Sequence, residues 1–264
     1  MGNAERKIMH KVLDLFSGIG GFSLGLERTG GFETVAFCEI DKYCQKVLRK
    51  HWASVPIYND IKELTNERLR KDGINPTVIC GGFPCQDISV ANTKAKGLDG
   101  ERSGLFFEII RLVRNIRPEY VILENVSALL GRGLGNILGE FSEVGFDAEW
   151  HCISASSVGA PHKRDRIWIM ANPSCSQRTR NGKPIGLSSE QPTSNLRGHS
   201  RKAISIMDKT RLEKTNWWKN EPRLLTLDDG IPDRVARLKA IGNSLIPQIP
   251  EMIGNAILEH EKTD

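Results

Sequence analysis

The sequence predicts an α/β protein built on a doubly wound, mostly parallel sheet. Three observations carry that expectation. Seven short apolar runs alternate with helical stretches along the 264 residues. The first run opens a strand, glycine turn, helix unit, and two later runs end on residues that bear chemistry, where parallel sheets bind their ligands. The strands are expected near Val12, Val35, Ile57, Val78 and Val121, then over 149–153 and 167–170. The closing stretch, 245–261, reads as a helix with prolines near its start.

In chain order, Lys11-Val12-Leu13-Asp14-Leu15-Phe16 reads as a strand, Ser17-Gly18-Ile19-Gly20-Gly21 as a tight turn, and Phe22-Ser23-Leu24-Gly25-Leu26-Glu27 as a helix opening. Ser23 stands where the dinucleotide fingerprint needs its third glycine. The next strand, Thr34-Val35-Ala36-Phe37-Cys38, ends in Glu39, 21 residues after Gly18. A carboxylate at about that spacing can hold ribose hydroxyls. The turn therefore points to a nucleoside cofactor without a pyrophosphate, approached closely by glycine backbone. Asp60, after Pro56-Ile57-Tyr58, is placed to receive an adenine amino group. The plainer reading of Glu39 and Asp60, a helix cap or a solvated loop acid, stands beside this one. Asp41, just before Lys42-Tyr43-Cys44-Gln45, reads as a helix N-cap.

Thr77-Val78-Ile79-Cys80 runs into Gly81-Gly82-Phe83-Pro84-Cys85-Gln86, so a strand ends on a cysteine in a glycine-flanked turn. Such a thiol is either a presented nucleophile or, as free cysteines commonly are, inert core. Tyr120-Val121-Ile122-Leu123 then delivers Glu124 at the end of another strand, which favours the first reading.

Five segments, Asp14-Leu15-Phe16-Ser17-Gly18-Ile19-Gly20-Gly21, Gly82-Phe83-Pro84-Cys85-Gln86, Glu124-Asn125-Val126, Arg164-Asp165-Arg166 and Gly242-Asn243-Ser244, follow the order of the DNA (cytosine-5) methyltransferase motifs. The chain resembles that family from Val12 to about Ile257, with a gap between Ala171 and Arg223. The resemblance implies a Rossmann-like S-adenosylmethionine-dependent methyltransferase acting on a cytosine in double-stranded DNA. It makes Cys85, Glu124, Arg164 and Arg166 the catalytic set. It assigns the cofactor to Phe16, Ser17, Gly18, Gly20, Gly21, Glu39, Ile40, Asp60, Ile61, Gly82, Pro84, Leu105, Asn243 and Ser244. The chemistry suits these residue types. Carbon 5 of cytosine is a weak nucleophile until a thiolate adds at carbon 6, and an acid at ring nitrogen 3 takes up the displaced charge. Glu124 should then carry a raised pKa. Arg166 would contact the cytosine oxygen and Arg164 would support the base or the catalytic loop; a surface basic cluster around His162 and Lys163 is the bland alternative. His162 stands where the family usually has glutamine, and Asn92 to Gly100 resembles a mobile loop that closes over DNA.

The net charge is +5, but its distribution matters more. Between Asn172 and Leu225 eleven Lys or Arg face four acids, which leaves −2 on the remainder. That polar stretch reads either as a disordered linker or as a small target-recognition region whose basic residues take phosphates. The division expected is a catalytic domain over 1–171 and 238–264 with a recognition region over 172–237. The six cysteines form no C-x-x-C pair and have no histidine at zinc spacing, so no metal is expected. No signal-peptide core or membrane-length run is present, and a cytoplasmic monomer is expected. A cognate restriction endonuclease acting on the same site is a candidate partner. Two alternatives share the fold: an RNA (tRNA) cytosine-5 methyltransferase, although the Cys-Phe-Thr signature of that group is absent, and a non-catalytic DNA-binding regulator. A zinc deaminase is set aside, because Pro84-Cys85-Gln86-Asp87-Ile88 lacks its second cysteine.

Overall fold

A computed structural model describes residues 9–84, 104–174 and 234–262. All seven expected strands are present: β1 (His10–Leu15), β2 (Phe32–Cys38), β3 (Ile57–Tyr58), β4 (Val78–Gly82), β5 (Tyr120–Val126), β6 (Phe146–Ser154) and β7 (Asp165–Pro173). They form one sheet in the order β3-β2-β1-β4-β5-β7-β6. The first five are parallel, and β7 runs antiparallel between β5 and β6. The helices are α1 (Gly21–Arg28), α2 (Lys42–His51), α3 (Asn66–Lys71), α4 (Leu105–Ile116), α5 (Leu129–Arg132), α6 (Leu134–Glu143), α7 (Arg234–Asn243) and α8 (Gln248–Glu261).

The central strands are apolar throughout because both faces are covered. Leu13, Ile79, Val121 and Ile169 join one cluster with Ile109, Val113 and Phe141 of α4 and α6. Val12, Val78, Ile122 and Trp168 join the other with Phe22 and Leu26 of α1 and Ile249, Ile253 and Ile257 of α8. The chain winds outward from β1 to β3 on one side and from β4 to β5 on the other, so the strand order reverses between β1 and β4. The carboxyl ends of those two strands flank the crevice where open α/β sheets bind ligands.

Helix α8 closes the fold against α1. A Cβ on Gly25 would lie 2.1 Å from the Pro247 carbonyl oxygen, and one on Gly21 would meet Leu245 at 3.1 Å. Only glycine permits backbone approach of that kind. The closing stretch therefore returns beside the first glycine turn. At the opposite, amino end of the sheet, the buried ring of His10 has Nε2 3.0 Å from Glu261 and Nδ1 3.2 Å from Glu119. Strand β7 continues to Pro173 and α7 opens at Arg234, both inside the 172–237 stretch. Among the described residues, no helix is long and apolar enough to cross a membrane.

Candidate active site

The turn after β1 is held from below by Asp14. Its backbone carbonyl accepts from Ser17 Oγ at 2.6 Å, and its fully buried carboxylate accepts from Ser23 Oγ at 2.7 Å and from the Ser23 N–H at 3.3 Å. Burial without a full set of donors pushes the Asp14 carboxyl up to about 7, against the partial relief of those two bonds. Between the anchors, Phe16 takes φ 52°, Gly18 55° and Gly20 86°. A left-handed φ costs a non-glycine residue roughly 1–2 kcal/mol, so Phe16 is held there by its surroundings.

Glu39, at the carboxyl end of β2, is only 8% exposed. Its Oε2 accepts from the Gly18 N–H and its Oε1 from the Asp41 N–H, each at 2.7 Å. Burial raises its pKa despite those bonds. Beside it, Ile40 is 65% exposed. Asp41 caps α2 as expected, accepting from the N–H groups of Tyr43 and Cys44. Half-buried Asp60 takes the Lys62 N–H at 2.9 Å. A recessed acid, an exposed apolar side chain and a second acid thus line the ends of β2 and β3, which fits a nucleoside with ribose hydroxyls and a flat base.

Ile61, next to Asp60, buries its side chain in the core, and its carbonyl accepts from Arg111 Nη2 at 2.9 Å. Gly242-Asn243 forms the end of α7. Asn243 itself is exposed, and Ser244 Oγ turns back to the Ile241 carbonyl at 2.8 Å. Leu105 starts α4 and packs against the larger core cluster.

On the other side of the crevice, Gly82 pairs with Glu124 across β4 and β5, and a Cβ on Gly82 would stand 3.0 Å from Glu124 Oε2. A glycine there leaves the acid its place. Arg166 Nε lies 2.9 Å from Glu124 Oε1, because Arg166 sits opposite Val126 on β7. Burial raises the Glu124 pKa, while Arg166 and Arg164 oppose the rise. Arg164 Nη1 donates to the Gly242 carbonyl at 2.9 Å. Buried Asn125 was quoted in a motif without a role; it donates from Nδ2 to the Phe83 carbonyl at 2.9 Å and accepts the Val126 N–H, tying the end of β4 to β5. Pro84 is exposed. Cys85 and the loop 92–100 lie outside the described residues, as does most of the basic stretch. Among the described residues one metal-type grouping exists, His10, Glu119 and Glu261, at the far end of the sheet.

The profile of C-5 cytosine-specific DNA methylases matches residues 10–228. The chain belongs to that family. A curated methylase relative, the Type II methyltransferase M2.BsuMI of Bacillus subtilis, is 35% identical over 170 residues, 61% of this chain and 42% of its own length. The chain thus spans less than half of that relative. Two solved structures show the same fold. Entamoeba histolytica methyltransferase EhMeth, 15% identical, covers 96% of this chain and 99% of its own at a TM-score of 0.61. A variant of Spodoptera frugiperda DNMT2, 24% identical, covers 69% and 54% at 0.52. The matched region, residues 10–228, takes in four of the five segments noted in the sequence.

Proposed function

We propose that this chain is a DNA cytosine-5 methyltransferase that uses S-adenosylmethionine and works through a covalent bond between Cys85 and carbon 6 of a cytosine rotated out of double-stranded DNA. The observation that carries the reading is the Glu124–Arg166 pair at 2.9 Å beside the end of β4, the strand from which Cys85 follows one residue after Pro84. The described cysteines offer no rival. Burial pushes Cys38 and Cys44 up to about 12 and Cys80 well above the usual thiol range, and exposed Cys152 is raised as well. Each keeps its proton at neutral pH, and a thiol is a poor nucleophile.

In this reading the Cys85 thiolate adds to carbon 6, and the electron pair of the 5,6 double bond moves toward the ring nitrogen 3 edge. Glu124, whose burial favours the protonated form, donates there, and Arg166 holds the acid and meets the cytosine oxygen. S-adenosylmethionine, when bound, supplies the electrophilic methyl that the activated carbon 5 takes up. Loss of the carbon 5 proton to water then expels Cys85 as thiolate, and return of the nitrogen 3 proton to Glu124 restores the ring. Phe16 to Gly21, Glu39, Ile40, Asp60 and Ile61 would hold the nucleoside part, with Gly82, Pro84, Leu105, Asn243 and Ser244 around it. Residues 172–237 would take up DNA through their basic excess. Base rotation is required because carbon 6 is out of reach in the stack. No metal enters this chemistry. The protein would work as a cytoplasmic monomer, with or without a restriction endonuclease that cuts the same site.

The test is trapping with a random-sequence duplex pool carrying 5-fluorocytosine, since fluorine at carbon 5 blocks the final elimination. A denaturation-resistant adduct should form, depend on S-adenosylmethionine, map to Cys85 by mass spectrometry and vanish in Cys85→Ala. Linkage to another cysteine overturns the mechanism. An adduct on 5-fluorocytosine tRNA and none on DNA overturns the substrate.

A further inference from the structure

The turn that carries Asp60 has little support from the sheet. It follows β3, which is two residues long, lies at the sheet edge and pairs with β2. The turn closes on itself: Asp60 Oδ1 takes the Lys62 N–H at 2.9 Å, the Asp60 carbonyl takes the Glu63 N–H at 3.2 Å, and the Ile61 carbonyl takes the Leu64 N–H at 3.2 Å. Its polar ties to the rest of the molecule come from α4. Arg111 Nη2 donates to the Ile61 and Leu64 carbonyls, each at 2.9 Å, and Arg111 Nε donates to Glu108 Oε2 at 2.6 Å, one turn back on the same helix. Farther along α4, the Asn115 carbonyl accepts from Asn66 Nδ2 at 2.7 Å, just after the turn. The contact with Glu108 fixes the plane of the guanidinium, and its rigid fork then aims at the two carbonyls. A flexible ammonium does not hold that geometry.

Resting on the proposed use of S-adenosylmethionine, with Asp60 toward the adenine amino group, we infer that Arg111 is a positioning residue that sets the base specificity of the cofactor site. A carboxylate selects an amino group only while it is held in place. Arg111 supplies that constraint through the carbonyls of Ile61 and Leu64, acting on the turn rather than on the base. Hypoxanthine carries an oxo group where adenine has its amino group, so it sets an acceptor against the carboxylate. A fixed Asp60 rejects that base, and a turn free to draw back admits it.

The experiment compares the affinities of S-adenosylhomocysteine and S-inosylhomocysteine by calorimetry in the wild type, Asp60→Ala, Arg111→Met, Arg111→Lys and the double variant Asp60→Ala/Arg111→Met, with thermal unfolding of each. The wild type should prefer the adenine ligand by about 10- to 100-fold, the worth of one hydrogen bond to a charged group. The preference should fall to about threefold or less in Asp60→Ala and in Arg111→Met, and the double variant should match Asp60→Ala, because both changes remove one interaction. Arg111→Lys should lie between, and it reads the same ratio where Arg111→Met does not fold. A merely structural Arg111 would lower the melting temperature and both affinities together and leave the ratio where it was. A preference lost in Asp60→Ala but kept in the Arg111 variants overturns this inference and leaves the proposed function standing. A wild type without preference, or one whose preference survives Asp60→Ala, removes the adenine contact from Asp60 and this inference with it. If the wild type binds neither ligand, the proposed function itself fails.

Discussion

On the β1–β2 side of the sheet, the carboxylate of Glu39 is gripped by two backbone N–H groups, Gly18 and Asp41, each at 2.7 Å. On the β5–β7 side, the carboxylate of Glu124 is met by a side chain, the Arg166 guanidinium at 2.9 Å. Both acids are recessed and both have raised pKa values from burial. Backbone donors belong to a turn and a helix start that are fixed by the fold, so Glu39 is placed before any ligand arrives. A guanidinium on a strand can rotate away or share itself, so in the proposed reaction Glu124 would trade part of its ion pair for the edge of a base. On that proposal one half of the crevice holds and the other exchanges.

Glu124→Gln gives the largest expected effect and bears directly on that difference. The amide keeps the shape but cannot give up a proton, so the methylation rate should fall by about 10²- to 10⁴-fold, the usual worth of a positioned acid. Folding stability should fall as well, by at most about 3–5 kcal/mol, because the recessed Arg166 guanidinium keeps its charge and loses its partner. Single-turnover methylation and thermal unfolding measure the two. An equal loss of S-adenosylhomocysteine affinity would show that Glu124 serves the whole crevice, and the contrast would fail.

Asp14 extends the comparison to the floor of the cofactor turn. Its carboxyl, about 7 in the folded chain, returns to 3.8 when unfolded. Between those values the folded state holds a proton that the unfolded state has released. The contribution of Asp14 to stability should thus be fully present below about pH 4, decline as pH rises toward 7 and then level off, by at most on the order of 4 kcal/mol. Asp14→Asn should flatten that slope. Urea unfolding from pH 4 to 8 in both proteins checks this, and parallel curves would mean that Asp14 is ionised in its buried place.

How much of this was legible in the sequence follows from how local each signal is. The strands could be read because apolar runs bounded by turn residues need no partner to be recognised, and the Asp41 cap because its donors lie two and three residues away. Glu39 was singled out by a spacing, and its contact with the Gly18 N–H sets it against the first glycine turn. Asp14 was not given a role: an acid inside an apolar run says nothing until Ser23 and Cys80 are brought to it from α1 and β4. Asn125 was passed over for a similar reason, since its partner is the Phe83 carbonyl on another strand. That the side chain of Ile61 packs into the core beside Asp60 is equally invisible in the sequence, because its neighbours there come from distant elements. The place of β7 between β5 and β6 is likewise a property of pairing, which no single strand announces.

The smallest expected effect, from Glu39→Ala, is the one that separates holding from exchange. Removing the carboxylate leaves the Gly18 and Asp41 N–H groups without their acceptor, and unpaired recessed donors of this kind cost about 1–3 kcal/mol between them. Ribose contacts are similar in the ground and transition states, so cofactor affinity should fall about 10- to 100-fold while the rate at saturating cofactor changes little. That is the reverse of the pattern expected for Glu124→Gln, where the rate falls and affinity stays. Isothermal titration with S-adenosylhomocysteine and methylation rates at rising S-adenosylmethionine distinguish the two. A drop in the saturated rate would mean that the backbone grip on Glu39 also sets the geometry of the reacting groups, and the two halves of the crevice would no longer be separable.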